Sequence, residues 1–304
     1  MRSLPYALRM ALSDVVVVSY NSRTHLRDSV VRLINSSNAN VIVVDNASTD
    51  DSLATISDLP VRTVPRTTNA GFAAGCNEGW RAGGAPHVLF LNPDAILDER
   101  SLSTLVSALQ ANESLGAVAP RIEHPDGSLA WSQRRFPRLR STYAQALFLH
   151  RIFPQKQWSD ELIRDAAAYD HSGTPEWVSG ACMLVRRAAL EALDGWDESF
   201  FLYCEDIDLC RRLHDLGYGI RYEPLARAIH EEGASAGRGA TLPLLAISRV
   251  RYAKKHRSRP YAALERLGIA LGSLTHVFVS RGGLADRAAH GRALIAALSP
   301  HTGT

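Results

Sequence analysis

The sequence predicts an α/β protein with a mainly parallel sheet flanked by helices. Short β-branched runs, at residues 14–18 and 41–44, are typical of parallel strands that are buried on both faces. Segments with apolar residues at helical spacing alternate with such runs as far as about residue 119. Repeated strand–helix units of this kind build a parallel sheet with helices packed on it.

The first half of the chain supplies its elements in a regular order. After the first strand, Asn21-Ser22 is a suitable N-cap for a helix in which Leu26, Val30 and Leu33 recur at helical spacing. The second β-branched run follows this helix. The later predicted elements of this half are a short helix near 50–57, a strand near 61–64, a helix opening at Asn69 and a buried strand over 87–91.

The second half is less regular. From Pro120 to about Glu176 the alternation stops, and we interpret this stretch as an insertion. Order returns with an apolar run over 178–185, helices over 188–193 and 206–216, and a strand near 219–222, and the chain beyond about Arg238 is helical and basic. The predicted boundaries therefore fall after residues 12, 119 and 237.

Composition excludes several classes of protein. Among 304 residues, 46% are hydrophobic and 21% are charged, which is ordinary for a globular protein and excludes collagen-like and mainly disordered chains. The four cysteines form no CxxC pair, which indicates reduced thiols and a cytoplasmic setting. Neither a secretory signal nor a run of 18 apolar residues is visible, and the apolar stretch 267–280 favours a buried or interfacial helix.

The net charge of +3 conceals an uneven distribution. Eleven basic and two acidic residues lie between Arg238 and Arg292, so this stretch carries +9 and the rest of the chain −6. This pattern fits either a solvated helix face or a segment that rests on an anionic membrane surface. Nucleic-acid binding is not expected, because the positive charge lies outside the predicted crevice and no recognised module accompanies it.

Polar residues follow three of the predicted strands. They are Ser19-Tyr20-Asn21, Asp45-Asn46 and Asn92-Pro93-Asp94. Since ligands of open α/β sheets bind at the carboxyl ends of the strands, these residues are expected to face one crevice. A cap or turn is the alternative role for each acidic residue taken singly.

A loop of small residues runs from Asn69 to Asn77. Such a loop at a helix start permits close approach of the backbone to a ligand, although tight helix packing explains it equally well. Its spacing matches neither the phosphate-binding Walker loop nor the dinucleotide fingerprint.

Acidic residues gather at the start of the helix predicted over 206–216. Glu205, Asp206 and Asp208 follow an aromatic run, and such carboxylates serve either as helix caps or as a general base for a sugar hydroxyl. His230 ends a later apolar segment and, together with a carboxylate, could form a cation site, although a lone histidine is more often structural.

The ordered motifs resemble those of family 2 glycosyltransferases, with the nearest likeness to the rhamnosyltransferase-like branch. The resemblance covers about Val15 to Ser235. Its motifs are residues 19–21, 43–48, 69–77, 91–94, 180–187 and 203–209.

This resemblance implies a GT-A fold with a nucleotide-binding half (13–119) and an acceptor-binding half (120–237), preceded by an N-terminal extension (1–12) and followed by a basic helical segment (238–304). Members are inverting transferases that use a nucleotide-diphosphate sugar and a divalent cation, Mg²⁺ or Mn²⁺. The branch favours dTDP-rhamnose as donor, with UDP-galactofuranose or UDP-GlcNAc as alternatives. The acceptor would be a saccharide or a polyprenyl-diphosphate-linked saccharide used in cell-wall or polysaccharide assembly.

The resemblance also implies roles for individual residues. Asp206 matches the catalytic base, with Glu205 as a substitute, and Asp94 matches the last acidic position of the metal-binding DxD motif, with His230 completing the site. Asn92 and Pro93 depart from the two-carboxylate form of that motif. The implied donor-binding residues are Ser19, Tyr20, Asn21, Asp45, Asn46, Asn69, Gly71, Asn77 and Asn92. The candidate acceptor-binding residues are Trp177, Gly180, Trp196 and Asp197, and core packing is the alternative role for both tryptophans.

Two other functions compete with this interpretation. A nucleotidyltransferase would need a glycine-rich loop with a basic pair near the first strand, which the sequence lacks. A non-catalytic sugar-nucleotide or lipid-binding protein would not need the carboxylate pair at 205–206 together with Asp94 and His230. The expected location is the cytoplasm, peripherally at the inner face of the plasma membrane, and a homo-oligomer is compatible with the sequence.

Overall fold

The computed structural model describes residues 12–34, 36, 38–154, 156–231, 238–279 and 283–299. Residues 1–11 of the predicted N-terminal extension lie outside them. The strands are β1 (Ser13–Ser19), β2 (Ala39–Asp45), β3 (Arg62–Pro65), β4 (His87–Leu91), β5 (Ala95–Leu97), β6 (Leu115–Glu123), β7 (Gln133–Arg134), β8 (Trp177–Val178), β9 (Cys182–Arg186) and β10 (Gly219–His230). The helices are α1 (Leu26–Val31), α2 (Phe72–Ala82), α3 (Glu99–Gln110), α4 (Leu139–Ala146), α5 (Leu149–Ile152), α6 (Arg187–Ala192), α7 (Glu205–Asp215), α8 (Arg238–His256), α9 (Arg259–Val279) and α10 (Gly283–Leu298). Short 3-10 turns occupy Leu53–Ile56 and Ala166–Tyr169.

One eight-stranded sheet forms the centre of the molecule, in the order β3-β2-β1-β4-β9-β6-β10-β5. Its first four strands are mutually parallel, as the sequence predicts. The other half is mixed, because β9 runs antiparallel between β4 and β6, and β5 runs antiparallel to β10. Strands β7 and β8 form a separate antiparallel pair.

The valine run of β1 shows why these segments become buried strands. Successive side chains point to opposite faces, so Val15 and Val17 enter one hydrophobic cluster while Val16 and Val18 enter the other. Helices α1 and α3 contribute to the first cluster, and α2 and α7 contribute to the second. A continuous apolar run, rather than an alternating one, is therefore what this position in the sheet requires.

Two segments differ from the sequence prediction. The apolar run 178–185 is broken at Ser179-Gly180, so that β8 and β9 belong to different sheets. Strand β6 continues through the expected boundary at 119/120, and the stretch interpreted as an insertion also contributes β7, α4 and α5. Apolar composition alone gives no sign of this break.

The predicted C-terminal helices are present, and side chains of α8 fasten them to the rest of the protein. Arg249 pairs with Glu161 at 2.6 Å, and Lys255 lies 2.5 Å from Asp197 and 2.7 Å from Asp208. Two of the basic residues counted in the sequence, Arg249 and Lys255, therefore pair with acidic residues of the preceding part of the chain. Within the described ranges, α9 is the one helix long and apolar enough to cross a membrane, and it packs on α4, α8 and α10.

Candidate functional site

The carboxyl ends of β1 and β2 carry buried polar atoms that lack partners. Ser19 lies beside Asp45 in the parallel register, and the Ser19 Oγ, Asp45 Oδ1 and Asn46 Oδ1 atoms accept or donate no hydrogen bond among the described residues. Native proteins pair nearly all buried polar groups, so unpaired atoms at a strand rim indicate a binding surface. These three atoms lie where the sequence places the nucleoside of the donor.

The turn that follows β1 completes this surface. Asn21 adopts a left-handed conformation, with φ of 51°, and its backbone N–H donates to Ser48 Oγ at 2.9 Å. Its side-chain oxygen accepts from the Thr49 N–H at 2.8 Å. Tyr20 is 42% exposed at the same turn, so its ring is open to a ligand.

The small-residue loop is held against the same rim. The Asn46 side-chain amide donates to Asn69 Oδ1 at 2.8 Å and to the Gly71 carbonyl at 3.0 Å. Gly71 has φ of +95°, and a Cβ there would lie 2.3 Å from the Phe201 carbonyl oxygen. Glycine is therefore required, because it lets the start of α2 meet the 200–203 segment.

Asn77 has a different placement from the other candidate donor residues. It lies inside α2, where its side-chain oxygen accepts from the backbone N–H of Trp196 at 2.8 Å and from the indole N–H of Trp80 at 3.0 Å. Its amide donates to the Trp196 carbonyl and to Glu198 Oε1, both at 2.8 Å. These contacts join α2 to the 195–198 turn and engage both ends of the amide.

The candidate metal residues meet beyond β4. His230 Nε2 lies 3.2 Å from Asp94 Oδ1 and 3.3 Å from the Asn92 side-chain nitrogen. The β5–β10 pairing causes this meeting, since it sets His230 opposite Ala95. In the part of the chain that the structure describes, no group of three or more His, Cys, Asp or Glu side chains clusters as a metal site. A carboxylate and an imidazole fit a divalent cation that takes its other ligands from a diphosphate and water.

Asp206 begins α7 beside the break between β8 and β9. Its Oδ2 accepts from the Gly180 N–H at 3.1 Å, and its Oδ1 accepts from the Ile207 N–H at 2.8 Å. Burial raises the pKa of Asp206, and the Gly180 N–H and the positive charge of Arg134 oppose that rise. A raised pKa brings a carboxylate nearer to the range in which a general base works well.

Glu205 lies more deeply than its neighbour. It is 7% exposed, its Oε2 has no hydrogen-bond partner among the described residues, and burial followed by the charge of Asp206 raises its pKa well above the ordinary value. Asp208, in contrast, accepts from Arg212 and His256, both at 2.7 Å. Of the three acidic residues, Asp206 is the one that is partly exposed and has no basic ion-pair partner in the described chain.

Two hydrogen bonds connect the candidate base to the candidate metal residues. The Asn92 N–H donates to the Ala181 carbonyl at 2.8 Å, and the adjacent Gly180 donates to Asp206. A Cβ on Gly180 would lie 3.3 Å from the Asp206 Cβ. Residues 180–181 therefore join the candidate base to Asn92, whose side-chain nitrogen lies 3.3 Å from His230 Nε2.

The candidate acceptor residues have mostly structural contacts. Trp177 and Trp196 are 4% and 3% exposed and belong to a core cluster, which is the packing role weighed from the sequence. Asp197 pairs with Lys255; burial acts to raise its pKa, but the hydrogen bonds from Lys255 and Ser199 lower it to about 2.

Two groups near the site were not predicted from the sequence. One is Arg134, whose charge acts on Asp206. The other is the Phe201 carbonyl, which accepts from the Phe72 N–H at 2.9 Å and holds the start of α2. The basic character of residues 134–140 was the available signal for Arg134.

Comparison with known proteins gives a consistent assignment. The family model for glycosyl transferase family 2 matches residues 14–193. The N-acetylglucosaminyl-diphospho-decaprenol L-rhamnosyltransferase of Mycobacterium tuberculosis is 32% identical over 240 residues, covering 74% of this chain and 77% of the relative. Rhamnosyltransferase WbbL of Escherichia coli K12 is 30% identical over 154 residues, covering 50% of this chain and 55% of the relative.

Solved structures agree on the fold. A mannosyltransferase of Pyrobaculum calidifontis in complex with GDP-Man and Mn²⁺ has a TM-score of 0.57 at 18% identity, covering 96% of this chain and 82% of its own. GalNAc-T7 with UDP, GalNAc and Mn²⁺ has a TM-score of 0.58 at 12% identity, covering 81% of this chain and 48% of its own. These likenesses confirm the GT-A fold. The chain is a glycosyltransferase, and it belongs to glycosyl transferase family 2.

Proposed function

We propose that this protein is an inverting, metal-dependent transferase that moves L-rhamnose from dTDP-rhamnose to a diphospholipid-linked saccharide. The placement of Asp206 carries the proposal. It is a partly exposed carboxylate without a basic ion-pair partner among the described residues, and residues 180–181 connect it to Asn92, beside the Asp94–His230 pair. The two rhamnosyltransferase relatives support the choice of sugar, and the Mycobacterium relative, which acts on N-acetylglucosaminyl-diphospho-decaprenol, supports the choice of a lipid-linked acceptor.

In the proposed reaction, the Asp206 carboxylate takes the proton of an acceptor hydroxyl while that oxygen bonds to C1 of the donor sugar. The bond from C1 to the diphosphate oxygen breaks at the same time, so the configuration at C1 inverts. The Gly180 and Ile207 N–H groups hold the carboxylate in position and favour its charged form. Ser19, Asp45 and Asn46 hold the nucleoside with the polar atoms that lack partners.

Asp94 and His230 are the residues that would hold a divalent cation, with the Asn92 amide beside them. When bound, such a cation neutralises the charge that develops on the departing diphosphate. The Mn²⁺ present in the two structural neighbours supports this part of the proposal.

The test is a transfer assay with a panel of nucleotide sugars and a short-chain GlcNAc-diphospholipid. We expect Asp206→Asn to lower kcat by about 10² to 10⁴ without changing donor affinity, since the base acts in the transition state. Asp215→Asn, on the exposed part of the same helix, is the matched control and should behave as wild type. An Asp206→Asn enzyme within about twofold of wild type would remove Asp206 as the base. Transfer from a UDP-sugar instead would overturn only the donor.

Metal dependence has its own measurement. Mn²⁺ should increase the thermal stabilisation that the donor gives to wild type, because binding to the folded state raises Tm. Asp94→Ala should lose this increase and keep its unliganded Tm within a few degrees. The same Mn²⁺ response in wild type and variant would exclude the Asp94–His230 site.

We also propose that the C-terminal helices rest on a membrane, where a lipid-linked acceptor is found. Several large apolar side chains are exposed on α9, among them Leu267 at 55% and Phe278 at 73%. The experiment is co-sedimentation with vesicles containing anionic lipid. The double change Leu267→Ser and Phe278→Ser should reduce binding about tenfold or more. The control Leu225→Ser removes a leucine of β10 that is even more exposed, at 80%, and should not reduce binding. Wild-type protein that fails to sediment at low salt would refute this part.

A further inference from the structure

Arg134 forms no ion pair with any residue that the structure describes, although its guanidinium lies over an aromatic ring. Its guanidinium carbon lies 5.0 Å from the centre of the Trp177 ring, opposite which it stands in the β7–β8 pair. Among the described residues the guanidinium makes no hydrogen bond or ion pair, and its Nε is buried without an acceptor. The nearby Arg135 and Arg138 differ, since they bind the Leu162 carbonyl and the Glu176 carboxylate.

The strand pairing places Arg134 opposite Trp177, three residues before the glycine that bonds the candidate base. Strand β8 leads through Ser179 to Gly180, which donates its N–H to Asp206. The positive charge of Arg134 acts on Asp206 and offsets part of the effect of burial on its pKa. Trp177 provides a stacking surface for the guanidinium, and stacking leaves the terminal N–H groups available to an anionic ligand.

An anionic acceptor that binds near Asp206 needs a positively charged side chain close by, because Asp206 and its neighbour Glu205 are themselves acidic. Glu205 and Asp206 have no basic ion-pair partner in the described chain, whereas Asp208 is neutralised by Arg212, Lys255 and His256. A phosphate approaching this carboxylate pair would be repelled unless a nearby positive charge compensates.

A second polar group lies two residues before Arg134. Ser132 is 4% exposed, and its Oγ also lacks a hydrogen-bond partner among the described residues. Alternate positions of an extended chain lie on the same side, so Ser132 and Arg134 can offer a hydroxyl and a guanidinium to one ligand.

We propose that Arg134, assisted by Ser132, binds a phosphate of the acceptor next to the hydroxyl that Asp206 deprotonates, so that the enzyme selects diphosphate-linked acceptors over neutral saccharides. This inference rests on the proposed function and names the group that distinguishes its acceptor. The guanidinium fork matches two phosphate oxygens, which a lysine ammonium does not.

The experiment compares two acceptors in detergent solution: a short-chain GlcNAc-diphospholipid and a neutral alkyl N-acetylglucosaminide. Arg134→Gln should lower kcat/KM about 10- to 100-fold for the diphospholipid, the size of a lost charge-assisted contact, and less than about threefold for the neutral acceptor. Arg134→Lys should recover part of the loss. The matched control is Arg140→Gln on the exposed surface of α4, which should change neither value.

An equal loss with both acceptors would overturn the proposal, because it is the result expected if Arg134 only stabilises the fold or acts through Asp206. In the latter case the acidic limb of the pH–rate profile would also shift with the neutral acceptor. A wild-type enzyme that transfers to neither acceptor would instead refute the proposed function itself, and this inference with it.

A binding measurement covers the case in which the neutral acceptor is too poor to assay. Farnesyl diphosphate, titrated into protein saturated with donor nucleotide, should bind Arg134→Gln at least tenfold more weakly than wild type. Equal affinities for the two proteins would overturn the assignment of Arg134 to a phosphate.

Discussion

Replacing Asn77 by alanine should destabilise the protein without weakening donor binding. Asn77 is 2% exposed and makes four side-chain hydrogen bonds, of which three join α2 to the 195–198 turn and the fourth binds Trp80 within α2. The sequence placed this residue in the donor pocket, whereas its observed contacts are all within the protein. The variant therefore tests whether the amide is a structural bridge or a ligand contact.

The expected magnitude follows from the groups that lose their partner. In Asn77→Ala the backbone N–H of Trp196 and the indole N–H of Trp80 lose their acceptor in a buried environment. Each such loss costs about 1–3 kcal/mol. Water entering the space of the removed amide recovers part of this cost. We expect the free energy of unfolding to fall by about 2–4 kcal/mol, which corresponds to a loss in Tm of roughly 3–6 °C for a chain of 304 residues.

Thermal unfolding of the two proteins measures this loss, and a titration with nucleotide sugar measures donor affinity. Asn112→Ala is the control, because its amide caps an exposed turn and its removal should change the free energy of unfolding by no more than about 0.5 kcal/mol. A variant with wild-type Tm and a donor Kd raised tenfold or more would show that the structural reasoning is wrong.

Two further predictions concern acidic residues of α7. Asp208→Asn should lower the free energy of unfolding by about 3 kcal/mol at neutral pH, since it removes one partner of a buried ionic cluster. Burial acts to raise the pKa of Asp208, but the His256 hydrogen bond and the charge of Arg212 lower it below its ordinary value. The stabilisation that the ionised Asp208 gives to the fold is therefore lost as pH falls, and the Tm difference between variant and wild type should shrink below about pH 4. A Tm difference that stays constant with pH would refute this account. Glu205→Gln should have the opposite effect, because burial raises the pKa of Glu205 and its ionisation opposes folding above the ordinary pKa of 4.5. Its Tm should exceed that of wild type by about 2–4 °C at pH 7 and equal it near pH 4, whereas a lower Tm at pH 7 would contradict the prediction.

The sequence predicts well those features that depend on local pattern. The β-branched run of β1 requires a strand buried on both faces, and the polar residues after β1, β2 and β4 do lie at one edge of the sheet. Strand direction in a parallel sheet determines both results, so no long-range information is needed.

Features that depend on contacts between residues far apart in the sequence are harder to predict from it. Asp94 and His230 lie 136 positions apart, and the antiparallel β5–β10 pair that joins them has no local signature. The burial of Trp177 likewise depends on a two-residue strand pair within an irregular stretch. In the sequence, the positive charge of α8 indicates a solvent-exposed surface. In the structure, its acidic partners are Asp197, Asp208 and Glu161, which come from other parts of the chain and which no local pattern identifies.

The attachment of α8 has a mechanical consequence. Lys255 and His256 of α8 pair with Asp208, which lies two residues from Asp206 on the same helix, and α9 has apolar side chains that are exposed. A displacement of these helices is therefore transmitted through a short, stiff connection to the helix that carries the candidate base. If the C-terminal helices rest on a lipid surface, that surface determines the height and orientation of Asp206 above it.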